Sequence, residues 1–453
     1  MTKPAMSGAA PSEGPGQALA VTHKSVLAIA VPMTLSHLTT PLLGLVATAV
    51  IGRLGDAAAL GGVALGAVVF DFLFWGFGFL RMGTVGLAAQ AIGRRDRVEE
   101  RAVLVRSVLM ALACGLALLV LQKPIGWLVH ELAGASPAVD QALSAYYGVR
   151  IWAAPMSLAN YAVLGWLTGI GRTGHALALQ AGINALNIGL CVLFVLGWDL
   201  GVAGAAQATV WAEAAGTLAG AMMCARLLGF RLDLPRAVVF DRARLVETLA
   251  LNRDIMIRTA ALLGAFSFFA AQGARAGDTV LAANALLNTM VLLSVYFLDG
   301  FATAAEQLCG AAAGARDRAA FGTALRLVLI WGYGFAVLAV GFFFLAGPSV
   351  LGAMSTNPAV VAEAVAYLPF AALLPLAGVA AYAFDGIYVG ALWSRDMRNL
   401  MIAALAIYLG TWAALRPFGN AGLWTALLVF LLARGVLQAV RMPALLRRTF
   451  RPA

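Results

Sequence analysis

One feature dominates the chain: apolar runs of twenty or more residues follow one another almost without pause between residues 25 and 443. About 20 mostly apolar residues are enough for a helix to cross the hydrocarbon core of a bilayer. A helix also satisfies its own backbone hydrogen bonds, which lipid cannot do. Twelve such runs are read, near 25–51, 58–92, 101–129, 140–170, 173–199 and 201–227, then 248–275, 279–313, 319–346, 358–391, 397–416 and 420–443. The expected fold class is an all-α polytopic membrane protein.

Composition agrees and excludes other classes. Hydrophobic residues make up 62% of the chain and charged residues 11%, whereas soluble domains carry about 25% charged residues. A water-soluble enzyme, a disordered protein and a disulfide scaffold are all excluded. Cys114, Cys191, Cys224 and Cys309 sit inside apolar runs without metal-ligand spacing, and read as packing residues.

The net charge of +10 raises the question of nucleic acid. Placement answers it. Basic residues cluster in the connections that share a side with the N-terminus, around Arg94–Arg101, Arg231–Arg244, Arg316 and Arg318, Arg395 and Arg398, and Arg441–Arg451. The opposite loops offer Arg53, Lys123, Arg275 and Arg416. By the positive-inside rule both termini are cytoplasmic and no nucleic-acid partner is needed. The expected layout is a disordered cytoplasmic tail (1–24), an N-lobe of six helices (25–227), a cytoplasmic linker (228–247), a C-lobe of six helices (248–443) and a basic tail (444–453). The first run is too long for the apolar core of a signal peptide.

The two lobes repeat each other at one constant offset, the one that carries Gly93 onto Gly314. Gly93-Arg-Arg-Asp-Arg97 recurs as Gly314-Ala-Arg-Asp-Arg318, and Tyr161, Gly165 and Gly169 recur as Tyr382, Gly386 and Gly390. Leu60–Leu65 matches Leu281–Leu286 in the same register. An even number of helices per lobe makes the repeats parallel. Transporters place substrate between such halves.

Ionisable residues within spans are costly and are functional candidates for that reason. Asn284, Asn288, Asp299 and Glu306 fall at about 0°, 40°, 60° and 40° around the eighth helix, one polar stripe suited to lining a cavity. Interhelical glue is the alternative for the asparagines. Asp299, Asp385 (with Tyr382 one turn away) and Asp71 are the candidates for ion or proton coupling. A structural hydrogen bond explains Asp71 equally well. Arg81 needs a counter-charge, for which Glu213 is the candidate. Asp254 and Arg258, four residues apart, suit a local ion pair. The mid-span charges read as mainly acidic, which favours cationic cargo. His23, His37, His130 and His175 are scattered and form no metal site. No nucleophile–base motif supports an enzyme.

Several segments, taken in order, resemble one family. Ala30-Val-Pro-Met33, Pro41–Gly52, Phe79-Leu-Arg-Met82, Leu251-Asn-Arg-Asp-Ile-Met256, Leu298-Asp-Gly-Phe301 and Phe384-Asp-Gly386 are similar to the multidrug and toxic compound extrusion (MATE) transporters, nearest their DNA-damage-inducible branch. The resemblance covers the chain after residue 24. It implies twelve helices in two lobes and export of amphipathic, often cationic drugs or metabolites in exchange for protons or sodium ions. No other cofactor is implied. Met33, Asn187 and Tyr382 join the expected cavity lining. Two family carboxylates are absent: Ala47 stands at one place and Cys191, four residues after Asn187, at the other. Coupling then rests on Asp71 or on Asp299 and Asp385, or has been lost from the N-lobe. A lipid-linked precursor flippase of the wider superfamily is the alternative. A monomer in a bacterial inner membrane is expected.

Overall fold

The computed structural model describes residues 21–230 and 234–451. The expected tail up to residue 20, residues 231–233 of the linker (Arg231 among them) and the last two residues lie outside them. Among the described residues every regular element is a helix. Eight helical segments among them are long and apolar enough to cross a membrane.

The N-lobe opens with α1 (His23–Gly52), then α2 (Ala57–Gly76) and α3 (Phe79–Gly93). The single run expected at 58–92 is thus two helices, broken at Phe77–Gly78. Next come α4 (Arg97–Val120) and the short α5 (Gln122–Ala133). The run read as 101–129 therefore ends at Val120, because the stretch after it, with Lys123 and the exposed Trp127 and Leu128, forms a separate helix. The pair α6 (Pro137–Arg150) and α7 (Ala154–Gly169) flanks one 3₁₀ turn, and α8 (Thr173–Val192) and α9 (Gly201–Leu227) complete the lobe.

After the short α10 (Arg236–Val239), the C-lobe has α11 (Arg242–Arg275), α12 (Asp278–Gly314), α13 (Arg318–Met354), α14 (Pro358–Gly390), α15 (Ser394–Leu415) and α16 (Gly419–Thr449). Here α11 starts before the expected lobe boundary at 248, because the Asp241 carboxylate caps the Arg244 amide at 2.8 Å. At the other end α16 runs through Pro443, so most of the expected tail is helical.

The repeat is visible in backbone detail. Arg95 and Arg316 both turn with positive φ, 57° and 54°. The following aspartates, Asp96 and Asp317, each cap a helix by accepting an amide at 2.9 Å. A turn residue that frees the chain for a cap explains the shared Gly-x-Arg-Asp-Arg motif. Close approaches repeat as well. A side-chain carbon at Gly165 would strike the backbone of Arg81, and one at Gly386 would strike that of Ala302, the equivalent positions of the second lobe.

The lobes meet about an axis between α3 and α12. A side chain at Gly93 would collide with Ala311, and one at Gly314 with Gln90, reciprocal contacts of equivalent residues. Ala89 and Gly310 are themselves equivalent and lie against each other. The same exchange pairs α1 with α12 and α11 with α3. This is the geometry of a pseudo-twofold dimer within one chain.

Candidate transport site

The close interlobe contacts lie on the side of the Gly93 and Gly314 turns, where α16 also ends with Thr449 against Trp393. There α12 is buried from Gly300 to Ala313 without a break, and the Gln90 amide donates to the Gly390 carbonyl at 3.1 Å across the seam. Small residues permit this approach; any larger side chain at Gly310 or Gly390 would push the helices apart. Toward the opposite side, α2 and α6 pack on each other and touch the C-lobe only slightly, at α11. The lobes therefore seal at one half and part at the other.

One carboxylate stands where the seal ends and another lies within it. Asp299, half-buried on α12, has its carboxylate free of hydrogen bonds and ion pairs among the described residues, as does Glu306 two turns on. Arg81 on α3 stands within electrostatic range of both. It makes no ion pair with Glu213: that carboxylate instead accepts the Asn160 amide at 2.7 Å. The expected Arg81–Glu213 pair is thus corrected. Glu213 points to α7 within its own lobe, and Arg81 lies on the seam between lobes.

Asp385 is in the C-lobe interior, bound by three side chains from two helices. Arg258 of α11 donates to it, Arg434 of α16 donates at 2.6 Å, and the Gln438 amide donates at 2.7 Å. The side chains of Asp385 and Arg434 are 4% and 1% exposed. Arg434 also stacks over the Tyr382 ring, 5.5 Å from its centroid. The expected local pair of Asp254 with Arg258 does not form. Asp254 is taken by Arg398 at 2.7 Å and by Ser394 at 3.2 Å, both on α15. Its adjacent neighbour Arg253 also pairs with it at 3.1 Å, while Arg258 turns away to Asp385 on α14.

The asparagine end of the α12 stripe is also committed. Asn284 exchanges hydrogen bonds with Asn420 at 2.9 and 3.1 Å and accepts the Trp424 indole N–H at 2.9 Å. Asn288 is half-buried, without a side-chain hydrogen bond among the described residues. The stripe therefore splits into an α12–α16 tie at one end and free carboxylates at the other.

In the N-lobe the two places at which the resemblance implied carboxylates hold the half-buried Ala47 and the buried Cys191. Asn187 donates to the Thr209 hydroxyl at 3.0 Å, and Met33 is buried with its sulfur 3.8 Å from the Thr168 hydroxyl. Beside Thr209 stands Arg150, which sequence reasoning missed. It lies at the end of α6, well past the Pro137 start, so it is deep in a spanning pair of helices. Arg434 was missed in the same way. With Arg81 and Arg258 these make four deep arginines, and the reading of mainly acidic mid-span charge is corrected. The signal was there: Arg150 is the sole Lys or Arg between Lys123 and Arg172. Asp71, next to Phe70 on α2, is exposed and in electrostatic range of Arg150, of Tyr161 on α7 and of Tyr296 across the cleft. No group of His, Cys, Asp and Glu among the described residues could hold a metal.

Comparison with known proteins agrees with this architecture. The MatE family model matches residues 32–193 and 257–410, one block in each lobe. "DNA damage-inducible protein F" of Escherichia coli K12 is 39% identical over 419 residues, covering 92% of this chain and 91% of that protein. A "Probable multidrug resistance protein NorM" of Rhodopseudomonas palustris is 26% identical over 477 residues, covering 99% and 97%. Crystal structures of MATE in a bent and a straight conformation superpose with TM-scores of 0.85 and 0.84 at 20% identity, each covering 95% of this chain and 97% of the other.

Proposed function

From the premise that the chain belongs to the MatE family of multidrug and toxic compound extrusion transporters, we propose that it is a secondary active exporter of amphipathic drugs or metabolites, driven by inward movement of protons or sodium ions. The observation that carries this reading is the contrast between two C-lobe carboxylates. Asp385 is held by two guanidiniums and an amide, so its charge is already neutralised and a transported cation would have to displace two fixed cations. Asp299 has no such partner among the described residues and stands where the seal between lobes ends. A carboxylate that gains and releases a cation must be reachable and uncommitted. Asp299 meets both conditions, with Glu306 beneath it and Arg81 opposite.

Alternating access follows from the same arrangement. With the termini in the cytoplasm, as the basic connections argue, the sealed half is cytoplasmic and the open half faces outward. Binding of a proton or sodium ion at Asp299 neutralises it and weakens its hold on Arg81 across the seam. The charge balance between α3 and α12 then changes, and the lobes can part at the Ala89–Gly310 contact. The location proposed is a bacterial inner membrane, with the chain working as a monomer.

Purified protein in liposomes tests this directly. A fluorescent amphiphile, in a cationic and in a zwitterionic form, is offered with an imposed proton gradient, an imposed sodium gradient, or neither. Gradient-dependent accumulation supports the exporter. Equal movement in all three conditions contradicts it.

A further inference from the structure

We propose that the N-lobe side of the cleft is a two-point site for a zwitterionic amphiphile, with its carboxylate on Arg150 and its amine on Asp71. The inference deepens the exporter reading and rests on it for the direction of transport alone.

Arg150 is a deep cation without an acidic partner among the described residues. One terminal nitrogen donates to the Tyr146 hydroxyl at 3.1 Å and to the Thr209 hydroxyl at 3.0 Å. Its Nε is buried and has no acceptor among the described residues. Its guanidinium lies over the Phe70 ring at 5.0 Å and the Tyr146 ring at 5.6 Å. These contacts fix its position but do not neutralise it. A guanidinium at this depth favours a carboxylate or another planar anion with two acceptor oxygens.

Asp71 is the complementary half. It makes no ion pair with Arg150, although α2 and α6 pack together and the two charges feel each other. Two opposite charges on adjacent helices would collapse into a salt bridge if geometry allowed it. Held apart, each offers an open position to one end of a ligand that carries both charges. Val68 and Trp75, three and four residues from Asp71 on the same helix face, are half-exposed and give the apolar body a surface. The other acid near Arg150, Glu213, is committed to Asn160 and does not compete.

Arg150 rests against Thr209 without an ion-pair partner among the described residues, so this side of the cleft reads an anionic group. A purely cationic ligand would meet Arg150 with repulsion, and a purely anionic one would meet Asp71. A zwitterion satisfies both.

The test uses full-length protein in lipid nanodiscs and three compounds of one naphthalene scaffold. One carries a primary amine and a carboxylate, the second the amine and a methyl ester, the third an N-acetyl group and the free carboxylate. The zwitterion is expected to bind at least tenfold more tightly than either relative. Arg150→Gln should bring the zwitterion down to the level of the ester. Asp71→Asn should bring it down to the level of the N-acetyl compound, and Arg150→Lys should retain the preference within a few fold. Equal binding of the three compounds, absence of binding by all three, or an unchanged ranking in both variants would overturn the site. Binding is read without any gradient, so a failure of coupled export would show in liposomes and leave this measurement intact.

Discussion

Ala89 on α3 and Gly310 on α12 occupy the same place in the two lobes and rest against each other. They mark the axis about which the lobes are related, on the half that is sealed. A protein that alternates access must open this contact once in each cycle.

Bulk placed at this contact tests that motion. A side-chain carbon at Gly310 would lie 2.8 Å from the Ala89 methyl and 3.1 Å from the Gly390 carbonyl oxygen, so Gly310→Leu keeps the seam from closing. The variant is expected to reduce gradient-driven transport at least tenfold, while Ala89→Gly, which adds no atoms, should stay within a few fold of wild type. Full transport by Gly310→Leu would show that closure of this seam is not part of turnover.

The Asp385 cluster holds the C-lobe together. Removing one member of a buried ion network leaves the others uncompensated, at a cost of about 3–5 kcal/mol. Asp385→Asn should therefore lower the thermal midpoint of the purified protein. Asp385→Asn combined with Arg434→Gln should recover part of the loss, because one stranded cation goes with the anion. Additive losses in this double-mutant cycle would contradict the pairing.

Asn284 predicts a structural defect as well. Asn284→Leu removes three side-chain bonds between α12 and α16 and strands polar atoms of Asn420 and Trp424, worth about 1–3 kcal/mol for each buried group left unsatisfied. Protein that survives purification should keep its ratio of gradient-driven to passive transport. A change in that ratio with unchanged stability would place Asn284 in the transport path.

Much of this was legible from residue order alone. Long apolar runs fix the helices because lipid leaves the backbone no other way to bond. The repeat was legible because glycine and Asp-capped turns serve backbone geometry, which both lobes need alike. Partner choice was not legible. The spacing of Asp254 and Arg258 suits a local pair, yet which neighbour each meets depends on how α11 is rotated against α14 and α15, a property of packing. The two lobes also use equivalent places differently: the repeat carries Glu213 onto Arg434, one bonded to an asparagine and the other to Asp385. Arg150 and Arg434 were readable by counting residues from the nearest turn, a step that apolar surroundings hide.

The central claim is that Asp299 couples ion entry to export. The direct measurement is substrate accumulation in liposomes by wild type and by Asp299→Asn, with and without the driving gradient, beside gradient-free substrate counterflow. The account predicts that Asp299→Asn loses at least 90% of gradient-driven accumulation, a tenfold effect worth about 1.4 kcal/mol, and retains counterflow. Full gradient-driven accumulation by Asp299→Asn would contradict it.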